Sequence, residues 1–368
     1  MKKKFVAMMM SALMVASLAA CGGDSKTTTG ADTTAAAGTT AAAAGTEAAA
    51  GTEAAGGADF ADLPEMQITF ASSQSSALDV SKYITEKAAE IREQTGDKLN
   101  IKVAFDGTLG ADSELVENCM AGNIPMILLS SSAMVSYVPE MAIFDMPMVY
   151  ASDEDAYEKI PQFKDTMNAI TNQKNMEILY LSGGTMRSLT TNTEIKTPED
   201  FKGMNIRTLE NSYHMAFWKN LGSNPTPLAF SELYLGLQQG LVDAQDNPIQ
   251  AVYAMKFHEV QDYFMDIPAF SNVSCYMMNK DYYASLPDAY KAILSDFLED
   301  VSNYAWTNLE ATNAATFEAI GDGLTVLECT DDIRAAMTTA AEPVWDMLRT
   351  DLGDELVDAY LKNAGVQQ

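Results

Sequence analysis

The chain has 368 residues, 47% of them hydrophobic and 9% aromatic, enough to bury a sizeable core and to form two domains of ordinary size. Acidic residues outnumber basic ones 51 to 23, for a formal net charge of -28. A field of that sign repels nucleic acid and anionic headgroups, and admits a small anion only where a cleft supplies local positive charge. His214 and His258 are the only histidines, which argues against a histidine-rich zinc or iron site; no cofactor is expected.

The first twenty residues read as a leader: a basic MKKK, then the apolar FVAMMMSALMVASL, short for a bilayer span. The segment closes on LAAC, Leu18 to Cys21, which resembles the lipobox of bacterial lipoproteins and implies a lipid on Cys21. A plain signal peptide cut nearby is the alternative. Residues 21–63, rich in Ala, Thr and Gly, hold too little apolar surface for a core and are expected to form a disordered tether. As a coil this tether would span on the order of 30–35 Å. With Cys21 lipidated, Cys119, Cys275 and Cys329 remain. An odd number and no CxxC pair argue for small buried hydrophobes, with one disulfide left open.

Folded sequence begins near Pro64. MQITFA (66–71) alternates as a strand does, and Val80, Ile84, Ala88 and Ile91 mark one face of a helix over 79–95. LNIKVAF (99–105) predicts a second strand, DSELVENCMAG (112–122) a helix, and IPMILLS (124–130) a strand buried on both faces. A helix over 153–171 and strands at 175–181 and 185–192 follow. TPEDFKG (197–203) opens a short helix with Thr197 as N-cap and Pro198 in the first turn. MNIRTL (204–209) is a strand, 212–221 a helix, FSELYLGLQQG (230–240) a helix, and LVDAQ (241–245) a short strand running into a loop. This alternation predicts α/β layers. From Asp288 to Ile320 there is neither Gly nor Pro, so a continuous helix of roughly 50 Å would outrun one domain and cross both lobes as a strut. A break near Asn303 is the alternative.

Two arginines stand out. Arg187 and Arg207 sit in or at the end of predicted strands, where an unpartnered charge is costly. Arg207 ends an apolar strand ahead of a helix, the position at which open α/β sheets bind ligands, and its planar fork suits a carboxylate. Pairing with a structural acid such as Glu194 or Glu210 is the competing reading. In GLVDAQDNP (240–248) a strand's period of two puts Gln245 and Asn247 on one face. Asn247 could then hold one oxygen of a bound acid, or the run could be an Asx-turn before Pro248.

TPEDFKGMNIRTLEN, LGSNPTPLAFSELYLGLQQGLVDAQDNPIQAVYAMKFHEVQDYF and MMNKDYYASLP, with FDGTLGADSELVENCMAGNIPMILLSSS and VPEMAIFDMPMVY upstream, run collinearly over about 64–300. In order and spacing they resemble the solute-binding proteins of TRAP (tripartite ATP-independent periplasmic) transporters. The resemblance implies a two-lobed periplasmic-binding-protein-like α/β fold with a ligand cleft between lobes. The corresponding division is 64–184 plus 273–304 for the first lobe and 185–272 plus 305–368 for the second. It implies that Arg207 binds the ligand carboxylate, that Asn247 helps fix it, that Arg187 is a second site-facing arginine, and that Phe230 lines the cleft. Ala244, Asp246 and the pair Thr208-Leu209 depart from the family's usual Gly, Glu and Val-Pro. Ser130, Ser131 and Gln74 are further candidates from the first lobe, and Glu210 and Tyr213 from the segment after Arg207. A loop turn, helix capping and packing are the competing roles. The implied partners are a small organic acid, with a lean toward a sugar acid such as a uronate, and a small and a large membrane permease subunit. A sensor of the same fold that signals to a receptor is one rival. A surface hydrolase is another, against which the chain offers no GxSxG or HExxH motif.

Overall fold

The computed structural model describes residues 60–366 apart from Pro268. The leader, Cys21 and most of the expected tether therefore lie outside the described residues. Two sheets organise the rest. Early strands and helices alternate: β1 (Met66–Ala71), α1 (Asp79–Gln94), β2 (Leu99–Ala104), α2 (Asp112–Met120) and β3 (Met126–Ser130). The buried stripe of α1 is Ser81, Ile84, Ala88 and Ile91, so the helical period seen in the sequence is the one that packs. The stretch expected as one helix over 153–171 is broken at Pro161 into α3 (Asp153–Lys159) and α4 (Lys164–Thr171), as a ring without an N–H demands. β4 (Met176–Ser182) follows.

A second run comprises β5 (Ser188–Thr191), β6 (Asn205–Thr208), α5 (Ser212–Asn220), β7 (Asn224–Pro227), α6 (Leu233–Gln238), β8 (Ala244–Asn247), α7 (Ile249–Ala254) and β9 (Tyr263–Met265). The chain then returns through β10 (Ser274–Asn279) and α8 (Lys280–Ser285), and ends with α9 (Asp288–Thr307), α10 (Leu309–Ile320), β11 (Thr325–Leu327), α11 (Asp331–Leu352) and α12 (Asp354–Ala364). The first sheet has the order β2-β1-β3-β10-β4 and the second β11-β9-β5-β8-β6-β7. β1 runs parallel to β2 and β3, whereas β10 enters antiparallel between β3 and β4. In the second sheet β6 is parallel to β7 and β8, and β5 is antiparallel to β8 and β9.

The expected long helix divides at Asn308, whose φ of -98° and ψ of 2° end α9. α9 packs on α1 and β4, beside the first sheet, and α10 packs on α7, beside the second. Two ring stacks fix the end of α9: Tyr304 lies 3.8 Å from Tyr83, and Trp306 lies 4.5 Å from Tyr157, centroid to centroid. The strut therefore spans both sheets as two helices. α11 packs against α5, and α12 against α3, where Lys159 Nζ donates to the Ala364 carbonyl at 3.0 Å. One large apolar cluster runs from Leu115 through Phe144 and Phe217 to Tyr360, and smaller ones lie under α9 and under α6–α7. The three cysteines are free thiols. Burial raises all three, Cys119 to about 12, as suits inert core groups.

Candidate functional site

Strand ends from both sheets converge on one cleft. Ser72, Ser130 and Ser182 stand at or just past the ends of β1, β3 and β4; Arg207, Leu209 and Asn247 stand at or past the ends of β6 and β8. Tyr304, Trp306, Asn308 and Thr312 close it from the strut. The cavity measures about 230 Å³ and adjoins a second compartment of about 430 Å³, with Ser73, Asp112, Arg207, Leu209, Phe230 and Met255 lining both. Open α/β sheets bind ligands at this edge because loops there can diverge around a crevice.

Arg207 is 1% exposed. Its Nε donates to the Leu228 carbonyl at 2.9 Å. That is its one hydrogen bond among the described residues, so both terminal nitrogens are unpaired, and no carboxylate lies within ion-pair distance of it. The guanidinium carbon sits 6.0 Å from the Phe230 ring centroid, a cation–π arrangement that leaves the fork edge open. Burial, reinforced by Arg187, brings the Arg207 pKa down to about 10, with Asp246 and Asp112 opposing. It is still a full cation at neutral pH.

Arg187 has a different environment. At 3% exposure it precedes β5, and its Nε donates to Asp246 Oδ2 at 2.5 Å while Nη2 donates to the Asp246 carbonyl at 2.5 Å. Nη1 reaches Asn272 Oδ1 at 3.4 Å. Burial alone would push the Asp246 carboxyl up, but Arg187, His214 and Arg207 outweigh it and hold it below the ordinary carboxylate range. The acid that neutralises Arg187 is therefore Asp246, not Glu194 or Glu210. The antiparallel register of β5 and β8, Ser188 opposite Asn247, brings the two together.

Within GLVDAQDNP, residues 244–247 form a strand where an Asx-turn was the alternative. β8 starts at Ala244 and includes Asn247, later than the 241–245 expected. Asp243 accepts from the Asn205 side chain at 2.9 Å, and Asp246 takes Arg187. Asn247 Nδ2 donates to Gln245 Oε1 at 2.5 Å, so these two do share a face. Gln245 donates on to Thr190 at 2.8 Å and Thr190 to Gln261 at 3.0 Å, a buried ladder that fixes the Asn247 amide at the cleft.

With this geometry in place, the model of bacterial extracellular solute-binding proteins, family 7, matches residues 70–351. The chain belongs to that family. A "solute-binding protein" of Verminephrobacter eiseniae is 28% identical over 285 residues, 76% of this chain and 83% of the relative. Two solved structures share the fold, each with a TM-score of 0.77. One is a TRAP periplasmic solute-binding protein from Desulfovibrio salexigens with bound orotic acid, 22% identical, covering 81% of this chain and 98% of its own. The other is the sugar acid binding protein of Advenella mimigardefordensis in complex with galactonate, 21% identical, covering 83% and 99%. The two-lobed architecture expected from the sequence is thus the fold of this solute-binding protein.

The remaining sequence candidates separate. Phe230, Ser130 and Gln74 line the cleft. The Ser130 hydroxyl makes no hydrogen bond among the described residues, whereas Gln74 Nε2 already donates to Ser81 at 2.9 Å. Glu210 lines only the adjoining compartment. Ser131 and Tyr213 are not at the cleft. Ser131 is buried, with its N–H donating to the Val273 carbonyl, because the chain turns inward after β3. Tyr213 lies in the first turn of α5 and points to the C-terminal helices, where its hydroxyl donates to Asp351 at 2.9 Å. The competing roles hold: Ser131 opens a tight turn over Ser131–Met134, and Tyr213 packs.

Sequence reasoning missed Asp112. It is the first residue of α2 and lines both compartments, and its Oδ1 is buried without a hydrogen-bond partner. Burial raises its pKa, opposed by Ser73 and Arg207. The same strand-to-helix rule that singled out Arg207 applies after β2 and could have found it. Among the described residues no group of three or more His, Cys, Asp or Glu could hold a metal ion, and no helix is long and apolar enough to cross a membrane.

Proposed function

We infer that this chain is the extracytoplasmic receptor of a TRAP transporter, capturing a small organic acid whose carboxylate takes the two free terminal nitrogens of Arg207. The observation that carries this reading is the buried, unpaired fork of Arg207 in a cleft between strand ends of two sheets. A buried cation with no carboxylate paired to it is costly, and a ligand carboxylate with two parallel hydrogen bonds removes that cost. Asn247 supports one carboxylate oxygen, Phe230 covers the guanidinium face, and Arg187, already paired, contributes field and not a direct ion pair.

The two moving lobes are residues 64–184 with 273–304 and residues 185–272 with 305–368, except that α12, packed on α3, stays with the first. The lobes close over the acid by hinge bending, expel water and strengthen the ion pair. A lipid on Cys21 tethers the receptor to the membrane, and the closed form hands its acid to the small and large permease subunits. A thermal-shift screen over organic acids tests the reading. An acid at 100 times its dissociation constant raises stability by about 2.7 kcal/mol, and its amide gives no shift. Equal shifts from an acid and its amide would refute it.

A further inference from the structure

We propose that Asp145 is a positioning residue for the ligand site, a buried pin behind the cleft that joins the two lobes and holds the Arg207 strand end ready to receive an acid. The proposal rests on the lobe division and the Arg207 anchor inferred above. Asp145 closes the short 3-10 helix Pro139–Asp145 of the first lobe and is 2% exposed. No lysine or arginine pairs with it among the described residues; hydrogen bonds meet its charge instead. Ser132, from its own lobe, donates to Oδ1. From the second lobe, Asn211 Nδ2 donates to Oδ2 at 2.6 Å and His214 Nε2 to Oδ1 at 3.0 Å. His214 Nδ1 is buried without a partner, so Asp145 is the ring's one hydrogen-bond partner among the described residues. Two acid–base pairs there are buried on both sides: Arg187–Asp246 stays within the second lobe, and His214–Asp145 crosses between lobes.

These partners lead back to the ligand anchor. Asn211 follows the end of β6, where its N–H donates to the Leu209 carbonyl at 2.8 Å in a tight turn. Its Oδ1 accepts from the N–H groups of Tyr213 and His214 at 2.9 and 3.3 Å, which caps α5. One side chain thus ends the Arg207 segment, starts the next helix and grips the opposite lobe. The His214 ring stacks on Phe270, 3.9 Å between centroids, and the Phe270 carbonyl accepts from the Arg187 N–H at 2.9 Å. Phe270 lies between β9 and β10, where the chain returns to the first lobe. Phe144, Met146, Phe217 and Phe270 all belong to the large apolar cluster. A carboxylate buried there is costlier than an apolar side chain of similar volume, so stability does not account for it. What it supplies is direction, since its bonds are satisfied in one placement of the lobes. Without the pin only a fraction of molecules offers Arg207 correctly, and association slows by that fraction. None of these residues lines the cavity, so a bound acid should leave at its usual rate.

Stopped-flow binding of D-galacturonate and succinate to the full chain, read by tryptophan fluorescence with Trp306 at the cleft, tests the proposal. Asn211→Ser keeps a cap for α5 but is too short to reach Asp145, and His214→Phe keeps a ring against Phe270 but loses Nε2. Each should slow association of whichever probe the wild type binds by about 10-fold and leave dissociation within about twofold. Asp145→Ala should slow it further, and the two partner variants carry the test should that one not fold. Tyr213→Phe removes the hydrogen bond to Asp351 from the same helix without touching Asp145. It should lower the unfolding temperature and leave both rate constants within about twofold. Unchanged association in both partner variants, faster dissociation in place of slower association, or equal slowing by Tyr213→Phe overturns the proposal while leaving Arg207 as the carboxylate anchor. Binding of neither probe, nor of any acid in the thermal-shift screen, strikes the Arg207 reading and this one with it.

Discussion

The two sides of the cleft are built alike and charged differently. Both present strand ends, but the first sheet offers Ser72, Ser130 and Ser182, with Asp112 on the helix after β2, while the second offers Arg187, Arg207 and Asn247. Within the second side the two arginines diverge again. Arg187 is neutralised by a buried carboxylate, and Arg207 is equally buried with its terminal nitrogens free. The lesson is that burial of a cation does not itself mark a ligand site. What marks it is burial with the hydrogen-bonding edge left open, and a protein of net charge -28 has acids enough to close that edge were it structural.

Substitutions can break this contrast, and the strongest effect falls on the paired arginine. Asp246→Ala leaves Arg187 buried and unpaired beside Arg207, and should destabilise the chain by about 3–5 kcal/mol in denaturant unfolding. Because the folded-state pKa of Asp246 is lowered, its contribution is present above the ordinary carboxylate range, about pH 4, and fades as pH falls through the depressed value. Arg207→Lys should spare the fold and weaken the bound acid by about 100-fold, since an ammonium cannot reproduce the planar fork; equilibrium titration reads it. Phe230→Ala should cost about 1 kcal/mol of binding through the lost ring face, with little change in unfolding temperature. Across the neutral range pH has the smallest effect of all. Arg207 gives up its proton near 10 in the ligand-free protein, so affinity should hold through pH 9 and decline above about 10, roughly tenfold per unit. Titrations at fixed ionic strength check that slope.

The order of strands and helices around the first sheet was legible because their apolar periods are strong and local. Arg207 was legible as a charge placed at the end of an apolar strand. The Arg187–Asp246 pair was not, since its partners are 59 residues apart and meet only through the β5–β8 register. The prolines of Asn224–Pro227 concealed β7, which tolerates them because it is an edge strand paired on one side with β6. Nothing in the sequence marks Asn308 as the end of α9; the clamp of Tyr304 and Trp306 against Tyr83 and Tyr157 is a tertiary feature. Tyr213 looked like a site residue only because it follows Arg207 closely, while the helix it opens carries it to the opposite side.

Arg207→Met tests the central claim most directly. Its charged side chain is disfavoured by the fold, as the drop from 12.5 to about 10 records, and that penalty persists at every pH below about 10. Replacing it with an apolar chain of similar length should therefore keep or raise the unfolding temperature of the ligand-free protein while abolishing calorimetric binding of the acid chosen by the thermal-shift screen. Undiminished affinity in that variant would contradict the account.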